Sequence, residues 1–282
     1  MFCTVAPAKG SPACAAQSQI NATAFRRSLT LLAIKLLKRI RKPHGTVIFL
    51  SGKICVKYGH SPSLSEASTM QFVAKHTSIP VPRVYCAFVH RNRTYIVMER
   101  MHGQPIGAGW TKRSVESKAK LLGQLKQIVD EMRRIPPPEG TGVAHVNGGP
   151  LYDPRLPGTS KQFGPFDTIQ DFHRHLRGGL EAHSQHKPEI SELISLQDEP
   201  RSALVFTHGD LSSLNTLVSG DEIVGIIDWE TAGWYPAYWE YTTAWNVNPQ
   251  NQFWRDEVDL FLQPMPKELA MEKIRLEYFG DG

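Results

Sequence analysis

No Asp or Glu precedes Glu66, and that absence divides the chain electrostatically. Ten Lys and Arg lie in the acid-free stretch; the 22 basic and 27 acidic residues that remain leave the rest at −5 within a net charge of +5. No stacking platform of aromatics is interleaved with those bases and no nucleic-acid module is recognisable, so nucleic acid is not an expected partner. Cysteine is scarce as well. Cys3, Cys14, Cys55 and Cys86 form no C-x-x-C pair and no Cys/His cluster at zinc spacing, which argues against a disulfide framework or structural zinc and for a reducing compartment. Long apolar runs are missing: "LTLLAI" at 29–34 falls far short of the roughly 20 residues that a bilayer span requires. The expectation is a soluble, cytoplasmic protein without stable membrane insertion. Glycine is thin where a phosphate loop would need it. "HGTVIFLSGK" holds only Gly45 and Gly52, with Ile54 after Lys53, so neither G-x-G-x-x-G nor a Walker A loop is present.

What is present suffices for one large domain or two lobes sharing a cleft, since 41% of the 282 residues are hydrophobic. Residues 1–24 read as a flexible basic tail. "FRRSLTLLAIKLLKRI" at 25–40 then sets Leu29, Leu32, Ile34, Leu36, Leu37 and Ile40 among bases, the pattern of an amphipathic helix. A helix packed on the first sheet with Lys and Arg in solvent is the ordinary reading; a mitochondrial targeting segment or membrane-surface helix shares the pattern. Two hairpins follow, one turning at Ser51-Gly52 and one around Arg91-Asn92-Arg93, with a helix at 63–78 between them that Pro80 and Pro82 close off. From Trp110 the spacing is helical, with Leu121, Leu125, Ile128, Met132 and Ile135 along one stripe. "FDTIQDFHRHL" predicts a further helix with His173 and His175 facing solvent. Residues 25–101 thus form one lobe and 102–282 another.

The stretch "THGDLSSLNTLV" at 207–218 concentrates polarity between strand-like runs. It holds His208, Asp210 and Asn215, and the hairpin after it, turning at Gly220-Asp221, ends in Asp228. Two carboxylates and a carboxamide converging at one sheet end suit phosphoryl transfer. Hard oxygens from Asn215 and Asp228 would hold Mg²⁺, and Asp210 would accept the proton of an attacking hydroxyl. The ordered H-x-D-x-x-x-x-N and strand-terminal Asp match the catalytic and metal-binding segments of the protein-kinase fold. Each residue also has a plainer role, Asp and Asn being ordinary turn formers, and the combination is what carries weight.

"FTHGDLSSLNTLV" and "GIIDWETAGWYPAYWEY", preceded by "CVKYG", "SEASTMQFVAKHTSIPVPRVY" and "YIVMERMHGQPI", resemble the aminoglycoside phosphotransferase family, over roughly 45–245. The resemblance implies an α+β, bilobal protein-kinase-like fold, with a small antiparallel sheet in the N-lobe and a mainly helical C-lobe. It also implies ATP and Mg²⁺ in the interlobe cleft and transfer of the γ-phosphate to the hydroxyl of a small molecule. By the same resemblance Lys57 meets the α- and β-phosphates, Glu66 pairs with Lys57, and the backbone of Glu99 and Met101 forms the adenine-binding hinge. Asp210 is then the base, Asn215 and Asp228 the metal ligands, and His208 organises the loop. Trp229, Trp234, Trp239 and Trp245 pack the second lobe. Asp228 leads into Trp229-Glu230, and "YPAYWEY" begins at Tyr235, which leaves little room for a peptide platform and argues against a protein kinase. For a polycationic acceptor, Glu240, Asp256, Glu257 and Asp259 are the candidate acids, against the plainer reading of a solvated helix face. The scarce glycines keep open a second reading, a catalytically idle module that binds a nucleotide or a partner.

Overall fold

The computed structural model describes residues 19–40, 43–60, 63–156, 161–199, 203–246 and 252–280. Cys3, Cys14 and most of the stretch read as a tail lie outside the described residues. Within that stretch Ile20 pairs with Ala87 through two backbone hydrogen bonds of 2.8 and 2.9 Å. Helix α1 (Ala24–Leu37) starts where the Thr23 hydroxyl accepts from the Arg26 amide. It is followed by β1 (Val47–Phe49), β2 (Ile54–Gly59), α2 (Leu64–His76), β3 (Val84–His90) and β4 (Arg93–Glu99). The four strands form an antiparallel sheet in the order β1-β2-β4-β3, with Val56 opposite Val97 and Lys57 opposite Ile96.

Side chains alternate across a strand, so this register sorts the sheet into two faces. Val56, Phe88 and Tyr95 join Ile34 of α1 and Ile48 on the outer face, whereas Cys55, Ala87 and Ile96 join Met70 and Val73 of α2 on the inner one. Lys57 falls on the inner side with Cys55, and that parity aims it toward the cleft. The β3–β4 hairpin closes at Arg91 and Asn92, whose φ angles of 48° and 59° are those of a two-residue turn compatible with strand twist. The β1–β2 loop is wider than a Ser51-Gly52 pair. Leu50 and Ser51 both donate to the Ile54 carbonyl, and the Ser51 hydroxyl accepts from the Lys53 and Ile54 amides at 3.1 Å each.

Beyond the sheet come β5 (Gln104–Pro105), α3 (Val115–Arg133), the paired β6 (Leu151–Tyr152) and β7 (Gln162–Phe163), α4 (Ile169–Leu176) and α5 (Pro188–Gln197). The chain continues through β8 (Leu204–Thr207), β9 (Thr216–Ser219), β10 (Glu222–Ile226), β11 (Gly233–Pro236), α6 (Trp239–Asn246), α7 (Gln252–Phe261) and α8 (Pro266–Phe279). β9 and β10 form the hairpin turning at Gly220 and add β5 at its edge, while β8 pairs with β11. The α3 stripe of Leu121, Leu125, Ile128 and Met132 is buried as its spacing predicts, and Trp229, Trp234 and Trp239 are fully enclosed. One apolar cluster runs from α2 through α3 to α7, and Ile226 donates to the Pro80 carbonyl at 2.8 Å, so the two parts of the chain are joined by packing and backbone. The arrangement is the bilobal kinase-like one, a small sheet above a mainly helical body.

Two local expectations are corrected. His173 does not face solvent: it is buried, with Nδ1 on the Gln197 carbonyl at 2.6 Å and Nε2 on the Tyr238 hydroxyl at 2.8 Å. α4 carries aromatic contacts on both sides of Phe172, so its buried arc is wider than the apolar residues alone mark out. Helix α1 packs as expected through Ile34, but Leu29, Leu32, Leu36 and Ile40, read with it as one apolar set, are exposed. Among the described residues no helix is long and apolar enough to cross a membrane. Cys55 and Cys86 are buried free thiols.

Candidate active site

The polar stretch between β8 and β9 is held in place by hydrogen bonds from three directions. Gly209 has φ of 79°, and a Cβ there would come within 3.0 Å of the Thr231 carbonyl, so a glycine fits both the conformation and the close approach. Glu240 at the start of α6 accepts from the His208 and Gly209 amides at 2.6 and 3.1 Å. Burial raises the Glu240 carboxyl above its ordinary range, while those two amides and Arg133 oppose the rise. His208 Nδ1 accepts from the Asp210 amide, which leaves Nε2–H to donate to the Ile227 carbonyl. The ring is therefore neutral, in keeping with a pKa that burial lowers to about 4. His208 is the loop organiser that the sequence indicated.

Asp210 stands at the mouth of this loop. Asn215 Nδ2 donates to its Oδ2 at 2.7 Å and to its carbonyl at 2.9 Å, so the carboxamide's Oδ1 is the atom left to face a cation. Arg155, on the loop after β6, reaches the Gly209 carbonyl at 2.6 Å and Asp210 Oδ1 at 3.4 Å, and is itself gripped by the buried Asp153. Burial raises the Asp210 pKa to about 7; Arg155 pulls it down and Asp228 pushes it further up. A carboxyl poised there is matched to taking a proton at neutral pH.

Asp228 lies at the end of β10, one residue after Ile227, whose amide donates to the Asn215 carbonyl at 3.0 Å. Asp228 adopts φ 66° and ψ 60°, a left-handed conformation uncommon for a residue with a side chain and concentrated at functional positions. Above it, Lys57 Nζ contacts Asp228 at 2.6 Å, Glu66 at 2.9 Å and Glu230 at 3.1 Å. Burial opposes the lysine's charge, but the three carboxylates hold its pKa above the ordinary value. Glu66 shares that one ammonium with two other acids in a buried place. Burial pushes it up to about 7, Lys57 pulls it down, and Asp228 and Glu230 push it up again. Ligand atoms of Glu66, Asp228 and Glu230 lie within 4.8 Å of one another. Three carboxylates on one ammonium leave a surplus of negative charge and hard oxygens, the donor set that a divalent cation requires.

The sheet and the β9–β10 hairpin enclose a cleft of about 350 Å³. Val47, Phe49 and Met98 wall it from the sheet side and Leu217 and Ile227 from the other, while Lys57, Glu66 and Asp228 line its polar end. Glu99 and Met101 border it. The Glu99 amide donates to the Arg83 carbonyl at 2.9 Å, and Gly225 leaves room for the Met101 side chain, whose Cε would stand 3.0 Å from a Cβ at that position. The β1–β2 loop lies at the other end of the cleft, beside the segment after β4: the Lys53 carbonyl accepts from the Arg100 amide at 2.9 Å and the Gly52 carbonyl meets His102 Nε2, while the loop's amides at Leu50, Ser51, Lys53 and Ile54 are engaged within the loop.

The sequence model of a phosphotransferase enzyme family matches residues 59–270. The chain belongs to that family. Solved structures share its fold at low identity. The aminoglycoside phosphotransferase APH(4)-Ia is 14% identical, covering 90% of this chain and 89% of that one, with a TM-score of 0.60. A ternary complex of a thermostable APH(4)-Ia mutant with AMP-PNP and hygromycin B is 15% identical over 88% of each chain, with a TM-score of 0.60. The gentamicin complex of APH(2'')-IIa is 16% identical over 92% of this chain and 87% of that one, with a TM-score of 0.52. No curated protein sequence matches the chain.

Of the residues singled out for nucleotide, metal and base, Lys57, Glu66, Glu99, Met101 and Asp228 line one cleft, and Asp210 and Asn215 are bonded to each other beside it. Three that matter to the geometry were missed: Glu230 on Lys57, Arg155 on Asp210, and Glu240, read as a candidate for the acceptor pocket. Glu230 was accessible as the second acid of "DWE" and Arg155 from the polar pair in "YDPR"; for Glu240 nothing short of the fold reveals two amides aimed at it. The other proposed acceptor acids are also engaged internally in part. Glu257 accepts from Trp110 Nε1 at 2.8 Å and Asp259 from the Tyr241 hydroxyl at 2.9 Å.

Proposed function

We propose that the protein is a cytoplasmic, ATP- and Mg²⁺-dependent phosphotransferase that moves the γ-phosphate of ATP to a hydroxyl of a small molecule. The observation that carries this reading is the placing of Asp210, Asn215 and Asp228 on one rim of a cleft whose opposite wall presents Lys57. Solved structures of the same fold carry ADP or AMP-PNP, which supports the nucleotide, together with hygromycin B, which supports a small-molecule acceptor.

Asn215 Oδ1 and the Asp228 carboxylate would hold Mg²⁺, with Glu230 within reach, and the metal would neutralise charge on the phosphate oxygens. Lys57 is already oriented by Glu66 and turns its ammonium from carboxylates to the α- and β-phosphates. The apolar walls receive the adenine beside the backbone of Glu99 and Met101. Asp210 accepts a hydrogen bond from the acceptor hydroxyl and takes its proton as that oxygen bonds to the γ-phosphorus and the bond to ADP breaks. Arg155 and Asn215 fix the carboxylate for that transfer. We take the lobes to divide near residue 101. The engaged acids at Glu240, Glu257 and Asp259 do not favour a polycationic acceptor, so the acceptor class stays at a small-molecule hydroxyl.

The scarcity of glycine in "HGTVIFLSGK" favours the second reading, a module that binds a nucleotide or a partner without turnover. Calorimetric titration with AMP-PNP, with and without Mg²⁺, on the wild type and Asp228→Ala, combined with ADP release across a panel of alcohols, separates the two. Metal-dependent binding lost in Asp228→Ala together with acceptor-dependent ADP release is the result expected here. Binding without release from any acceptor assigns the nucleotide-binding module, and absence of binding overturns the phosphotransferase and leaves the partner-binding module.

A further inference from the structure

Helix α1 carries two apolar lines where packing on the sheet uses only one. Thr30 and Ile34 are buried against the outer face of the sheet, with Leu31 and Leu37 half-buried beside them. On the opposite side Phe25, Leu29, Leu32, Leu36 and Ile40 recur at steps of four, three, four and four, which places the first four along one ridge of the helix, with Ile40 in the turn that follows it. They are 75, 54, 54, 54 and 78% exposed. Five large apolar side chains in a continuous exposed line mark an interaction surface, whereas single ones would not.

The charge around the ridge says what covers it. Glu66 is the sole acid among the first 98 residues, which carry fourteen Lys and Arg, and it is buried at the inner face of the sheet. Arg27 and Lys38 are turned toward the sheet, over the rings of Phe88 and Tyr58. Lys35 and Arg39 are exposed, and the flank of the helix that Leu31 occupies opens onto a cavity of about 520 Å³ lined also by His60, His90, Arg91, Arg93 and Tyr95. An apolar ridge beside a basic rim is the make-up of a helix that lies in a membrane interface. A second copy of this chain fits poorly, because a two-fold contact would bring two identical basic rims together.

We propose that the outward ridge of α1 and its basic rim dock the protein onto an anionic lipid bilayer surface, with the apolar residues entering the acyl boundary and the rim meeting lipid phosphates. The cleft lies on the other face of the sheet, since Cys55 and Lys57 alternate with Val56, so docking leaves nucleotide access open.

The test is co-sedimentation of the full-length protein with phosphatidylcholine vesicles, with and without phosphatidylserine, alongside Leu32→Ser/Leu36→Ser and Lys35→Glu/Arg39→Glu variants. Unchanged thermal midpoints certify that the variants fold. The wild type should pellet only with the anionic vesicles and be released by salt. The ridge variant should lose binding ~10-fold or more, and each reversed charge should weaken it roughly fivefold or more. Hydroxyl-radical footprinting should show Phe25 and Leu32 reactive in the free protein and protected by anionic vesicles. The proposal is overturned if no vesicle binds, if the ridge variant binds like the wild type, or if the ridge is already protected without lipid. It is equally overturned if sedimentation velocity reveals a dimer that the ridge variant abolishes.

Discussion

Two loops at opposite ends of the cleft are built in opposite ways. The lower one, His208 to Asn215, donates its amides to Glu240, turns the His208 ring to Ile227 and accepts at its carbonyls from Thr231 and Arg155, so the rest of the fold sets its shape. The upper one, Leu50 to Ile54, satisfies its amides within itself through the Ser51 hydroxyl and the Ile54 carbonyl. The proposed base, Asp210, and the proposed metal ligand Asn215 sit on the first. The contrast teaches that the shape of the polar loop is imported from distant elements, whereas the amides of the β1–β2 turn are satisfied locally.

The largest effect should come from the lower loop. Asp210→Asn should lower kcat by ~10²–10⁴ while the dissociation constant for AMP-PNP stays within a few-fold, a split readable by ADP release and calorimetry. If both change together, Asp210 serves nucleotide binding and the contrast fails.

A second expected effect concerns acid. His145 ties α2 to the segment after α3: its Nδ1 accepts from the Asn147 amide, and its Nε2 faces the Ser65 carbonyl and the Thr69 hydroxyl. Burial lowers its pKa to about 4, with the bond to Ser65 opposing. The folded value lies below that of the unfolded chain, near 6.5, so the unfolded state binds the proton first. Stability is complete above about pH 6.5 and is lost as pH falls toward 4, by up to roughly 3 kcal/mol from this group. Urea unfolding across that window checks it, and His145→Gln should flatten the curve.

Glu240→Gln keeps the shape but replaces a charged acceptor of two amides, with an expected loss of about 2 kcal/mol in unfolding free energy and a fall in kcat as the loop loosens. Smallest should be Ser51→Ala. It frees two amides of the upper loop and should cost about 1 kcal/mol or less, with KM for ATP changed only a few-fold. A larger effect from Ser51→Ala than from Glu240→Gln would reverse the ranking of the two loops.

What the sequence made legible follows the same division. The hairpins at Arg91-Asn92 and Gly220-Asp221, the α3 stripe and the order His208, Asp210, Asn215, Asp228 are encoded over short intervals, where turn chemistry and spacing act directly. The contacts missed are long-range: Glu230 lies 173 positions from Lys57 and Arg155 54 from Gly209. No periodicity reports such a meeting. His173 was misjudged because a polar ring counts against burial until its two partners are known. The second ridge of α1 escaped because a helical pattern registers apolar residues without saying how many sides of the helix are covered.

The short pairing of Ile20 with Ala87 has its own consequence for handling the protein. β3 is an outer strand of the sheet, and Ile20 takes up the Ala87 amide and carbonyl while Asn21 and Arg26 reach the Tyr85 carbonyl at 3.4 Å each. An open strand edge is a template for other chains. Material trimmed to begin at α1 would therefore lose a guard against self-association and should cloud on storage or warming under conditions in which the longer chain stays clear, a difference that light scattering records.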